Sequence, residues 1–76
     1  MRGFDINVES VQFRVIPHDT MEGVFHVRSG DSSLMFVQMD AEGRWRKVDP
    51  EKMIFIEEER DSLVDQIGEK IIRAYE

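Results

Sequence analysis

The densest run of chemically capable side chains is Arg44-Trp45-Arg46-Lys47, three cations around the only Trp of the chain. Alternating aromatic and basic residues on a strand can stack a nucleic-acid base and neutralise phosphates. The same run also describes a strand whose Trp45 anchors the core while Arg44 and Arg46 face solvent, because successive side chains point to opposite sides. The aromatic pair of an RNA-recognition sheet is missing, and a net charge of −6 opposes non-specific attraction to phosphate. Arg44, Trp45, Arg46 and Lys47 therefore form the alternative reading, a single-stranded nucleic-acid site. In it, Trp45 joins the arginines only if a bulge after Gly43 turns it.

Other sets are weaker. His18, Asp19, Glu22 and His26 are metal-capable and close in sequence, but they match no established ligand spacing and read as loop and strand residues. Ser29, Ser32 or Ser33 can be drawn with a His and an Asp, yet no strained Gly-x-Ser-x-Gly turn is present. Glu57-Glu58-Glu59 places carboxylates where a helix start favours negative charge, not as an acid/base pair. No catalytic residue, cofactor or metal is expected, because 76 residues are mostly consumed in building a core.

The composition defines what must position these groups. The chain carries 15 Val and Ile against 4 Leu and Ala, and β-branched side chains favour pleated sheet. With 41% hydrophobic residues the chain is not disordered. Its longest apolar run, Met53-Ile54-Phe55-Ile56, is too short to cross a bilayer, and there are no cysteines. The start lacks an apolar stretch of signal-peptide length, so the expected location is cytoplasmic with no membrane association. Residues 1–48 carry a net −1 and residues 49–76 a net −5, which puts the acidity in the C-terminal segment.

Period-2 alternation predicts strands at residues 11–16, 24–28, 34–39 and 44–48, joined by turns at 29–32 and 40–43. Phe4, Ile6 and Val8 also alternate, but their phase slips before Val11, so residues 1–10 are either loosely attached or an extra strand with a bulge or break at Glu9-Ser10. Asp49-Pro50-Glu51 reads as a short helical turn. Leu63, Val64, Ile67 and Ile71 then form the stripe of a helix from about residue 58 to 75, with Gly68 marking close approach to the sheet. The predicted fold is one α+β domain spanning residues 1–76: an antiparallel β-meander of about four strands with one C-terminal α-helix packed on one face.

One helix covers only one face. If Val11, Phe13, Val15, Phe25, Val27, Leu34, Phe36 and Trp45 meet it, the other face combines Arg14 and Arg28 with Val24, Met35, Val37 and Met39. An uncovered strip of apolar residues and arginines suits a protein interface. The expected function is a non-enzymatic module that binds another protein or a second copy of itself, with nucleic acid disfavoured by net charge.

Overall fold

A computed structural model describes residues 3–57, 59 and 61–75. Six strands, β1 (Phe4–Val8), β2 (Val11–Pro17), β3 (Phe25–Ser29), β4 (Ser32–Met39), β5 (Trp45–Asp49) and β6 (Ile54–Phe55), precede one helix, α1 (Ser62–Ala74). The strands form one antiparallel sheet in sequence order, an α+β meander. The four expected strands are present, with β1 and β6 added at the two edges.

The slip between Val8 and Val11 is a two-residue hairpin. Val8 pairs with Val11, and Glu9 (φ 51°) and Ser10 (φ 68°) both adopt the left-handed backbone that tight hairpins require. Residues 4–8 are thereby fixed as a strand. At the β4–β5 hairpin, Asp40 Oδ1 accepts from the N–H groups of Glu42 and Arg44, both at 2.9 Å, and Gly43 (φ 84°) takes the left-handed position. These N–H groups, that of Arg44 foremost, hold the Asp40 carboxyl below its usual range despite partial desolvation, helped by Arg46 and Arg44. After β5, Asp49 Oδ1 accepts from the N–H groups of Glu51 and Lys52, closing the single helical turn that begins at Pro50.

Helix α1 begins later than the periodicity suggested. Asp61 caps it, its side chain accepting the Leu63 N–H at 2.9 Å, so Glu57 and Glu59 precede the helix; Glu58, expected in its first turn, lies outside the described residues. Val64, Ile67, Gly68 and Ile71 are its buried stripe. They close on a core of Ile6, Val8, Phe13, Val15, Val27 and Val37. Gly68 lies flat against the Trp45 indole: a methyl added there would overlap Trp45 Cδ1 and Cγ, so only glycine fits the crossing. Phe25 packs beside Trp45, ring centres 5.9 Å apart.

One expectation is overturned by β4. Val27 pairs with Met35 but Arg28 pairs with Ser33, which leaves Leu34 without a partner in a β-bulge. The extra residue shifts the phase by one, so every later side chain of β4 points opposite to the predicted direction. Met35 and Val37 pack toward the helix, Val37 with no exposed surface, while Leu34 is exposed and Phe36 points to the uncovered side.

Candidate binding face of the sheet

The side of the sheet away from α1 is organised in rows, because residues paired across antiparallel strands share a face. One row crosses the sheet as Ile16, His26, Phe36, Val48 and Phe55: Ile16 pairs with His26, His26 with Phe36, and Val48 with Phe55, and extending the β4–β5 register by one residue sets Val48 beside Phe36. The His26 imidazole lies parallel to the Phe36 ring at 4.4 Å between centres, with an interplanar angle of 10°, and the His18 ring meets Phe36 at 6.1 Å. His18 is held by its own loop, its Nδ1 accepting from the N–H groups of Thr20 and Met21. Partial burial holds the His26 pKa below its usual value, with Arg28 and His18 adding to the shift.

The neighbouring row is Asp5, Arg14, Arg28 and Ser33. Arg14 stands directly opposite Arg28, a cross-strand pairing of like charges that disfavours the free fold. Asp5 relieves it in part, at 3.3 Å from Arg14, but both side chains are about half exposed, 48% and 47%, so water and salt screen the pair. Arg28 donates to the Asp31 carbonyl at 2.9 Å. On the other flank, the Arg46 guanidinium sits 4.7 Å above the Phe55 ring and 3.7 Å from Glu57.

Beside the aromatic row, an open groove of about 380 Å³ runs between Leu34, Phe36, Val48, Pro50 and Ile56. The exposed apolar residues Leu34, Ile54 and Ile56, and above all Met53 at 70%, lie in or near the β5–β6 end of the sheet.

The six residues expected at the protein interface do not share one surface. Arg14 and Arg28 lie on the uncovered face, but Val24 and Val37 are buried and Met35 packs against the core, with Met39, partly exposed, on the helix side. The Leu34 bulge reverses Met35 and Val37, and Val24 is buried at the end of the 18–24 loop, where its carbonyl accepts the His18 N–H. Of the alternative set, Arg46 reaches the uncovered face, Arg44 lies in the turn before β5, Lys47 faces the helix side, 4.0 Å from Asp61, and Trp45 lies under α1. Trp45 is half-buried with its ring against Gly68, and the four residues of the set still line one small cleft with Ile56, Glu59, Asp61 and Val64. Sequence periodicity gives Phe36 to the core and no face to Phe55, because neither the Leu34 bulge nor a two-residue strand leaves a periodic signal.

Ser33 Oγ lies 2.7 Å from His26 Nε2 across the bulge, bringing together two residues considered for nucleophilic chemistry. The charged group that weighs on His26 is Arg28, a cation, where a triad would place a carboxylate. Among the described residues, no group of three or more His, Asp or Glu side chains could hold a metal ion. Nor is any described helix long and apolar enough to cross a membrane. No protein-family model matches the chain, and neither does any curated protein or solved structure.

Proposed function

We propose that the protein is a non-enzymatic interaction module that binds another protein through the uncovered face of its sheet. The observation that carries this reading is the unfavourable Arg14–Arg28 pairing on the same face as the apolar groove, whose exposed rim is Leu34 and Ile56 beside half-buried Phe36. A partner that sets a carboxylate between the two arginines and an apolar side chain in the groove relieves a repulsion and buries exposed carbon in one contact. The partner surface is therefore acidic at one end and apolar at the other. Arginine and aromatic side chains are also the types that concentrate binding energy at interfaces.

The test is comparative capture from a cell extract with the immobilised protein, an Arg14→Glu/Arg28→Glu variant and a Lys70→Glu control on the exposed side of α1. The reading expects a partner retained by the wild type and the control and lost by the double variant. A partner retained equally by all three overturns it.

A second reading, binding of single-stranded nucleic acid, draws on the same arginines with Arg46 and Phe55 in place of Trp45. It requires oligonucleotide affinity that falls steeply with salt. Exposed Leu34, Met53, Ile54 and Ile56 near the site favour the protein partner.

A further inference from the structure

The outer edge of β1 is free of backbone pairing among the described residues: β1 neighbours only β2, and no described turn or loop bonds to it. Such an edge offers a row of unpaired N–H and C=O groups to another strand. Which groups they are follows from the hairpin. A two-residue turn is closed by a hydrogen-bonded pair, here Val8 with Val11, and such pairs alternate along an antiparallel ladder, so Ile6–Phe13 and Phe4–Val15 are bonded as well. The amides of Asp5 and Asn7 therefore point outward.

We propose that β1 joins two copies of the chain about a two-fold axis, with Asp5 of each copy opposite Asn7 of the other. The charges select this register. Of the antiparallel registers centred on a residue of the strand, those on Asp5, Ile6 and Asn7 pair three or more of its five residues, with apolar residues facing apolar residues and outward amides facing outward amides. Centring on Asp5 sets Asp5 against its own symmetry mate, and centring on Asn7 sets Asp5 against Glu9 twice; both oppose like charges. Centring on Ile6 sets Asp5 against Asn7, Phe4 against Val8 and Ile6 against itself, with no like-charged pair. Asp5 and Asn7 then exchange their N–H and C=O groups, and their side chains meet as carboxylate and amide. A closed isologous contact requires this self-complementarity.

The geometry of the fold admits the contact. A two-fold axis normal to the sheet keeps both helices on one side and extends the six strands to twelve. Tyr75, 57% exposed and edge-on to Phe4 at 5.7 Å, stands at this edge and adds apolar surface to a contact otherwise made by one strand. The dimer also places two copies of the Asp5-Arg14-Arg28 row side by side, doubling the candidate face. It is nonetheless independent of that face's ligand, because the edge and the face use different groups.

Sedimentation equilibrium of the wild type, Asn7→Asp and Asn7→Lys over micromolar to millimolar concentrations tests the proposal. Asn7 is exposed and opposite the neutral Gln12, so both variants keep the monomer fold, which their thermal melts at low concentration verify. The wild type is expected to rise from 8.9 kDa toward twice that mass. Asn7→Asp, with two new like-charged pairs, weakens the dimer by roughly 2- to 30-fold; Asn7→Lys, with two opposite-charged pairs, tightens it over a similar range. High salt shrinks both effects. A wild type that stays monomeric throughout, or variants that shift association in the same direction or not at all, overturns the proposal.

Discussion

Gly68→Ala sets two effects of known sign against each other. In a helix interior alanine is favoured over glycine by about 1 kcal/mol, so an open site would be stabilised. At residue 68 the added methyl overlaps the Trp45 ring, which is held from the side by Phe25. Trp45 is flanked by Phe25 and α1, and its Nε1 is already buried without a hydrogen-bond partner among the described residues. Overpacking of this kind costs about 1–3 kcal/mol, and we expect the net change to be destabilising. In a domain of this size each kcal/mol lowers the melting temperature by about 4–8 °C, well within reach of calorimetry or circular dichroism. The decisive comparison is the same substitution in a Trp45→Leu background, where the smaller side chain leaves room for the methyl. There Gly68→Ala should recover stability, up to about 1 kcal/mol. A wild-type background stabilised by Gly68→Ala, or an equal cost in both backgrounds, refutes the close helix crossing as the reason for the glycine.

Four further outcomes follow from particular contacts. Ser10→Gly should stabilise the protein by about 0.5–1 kcal/mol in urea unfolding, because Ser10 holds φ 68° at a position glycine adopts without strain. Val37→Ala should cost about 1.5–3 kcal/mol while Leu34→Gln stays within about 0.5 kcal/mol, the reverse of what an unbulged β4 requires. Arg28→Thr should change the stability of the free protein by less than about 0.5 kcal/mol, the lost hydrogen bond to the Asp31 carbonyl offsetting the removed like-charged pair, while weakening capture of the partner. Melting temperature should fall as pH drops below about 6.5, the ordinary His value, because the unfolded chain takes up a proton there before folded His26 does; the loss levels off below the lowered folded pKa, and His26→Gln should flatten this part of the profile.

The helix stripe, the Asp49 turn, the Asp40–Gly43 hairpin and the Gly68 crossing were legible because each has a local signature: apolar spacing, a capping side chain or a glycine where the backbone needs one. The face of β4 was not. Residues 34–39 are apolar at almost every position, so period-2 alternation carries no phase there, and the Leu34 bulge leaves no mark in composition. The Glu9-Ser10 turn was missed as a turn because neither residue is the Asn or Gly that left-handed backbone favours. Since the candidate site depends on which side of β4 faces out, one inserted residue moved it: Arg14, Arg28 and Arg46 kept their places, and Phe36 exchanged sides with Met35 and Val37.

The central claim, that the uncovered sheet face is the contact surface, is tested most directly by side-chain nuclear magnetic resonance of the labelled protein titrated with the captured partner. The Nε–Hε signals of Arg14, Arg28 and Arg46 and the ring signals of His26 and Phe36 should move or broaden together, with Lys70 and Arg73 on the helix unchanged. Perturbation confined to the exposed side of α1, with the arginine and His26 signals unmoved at saturation, would contradict it.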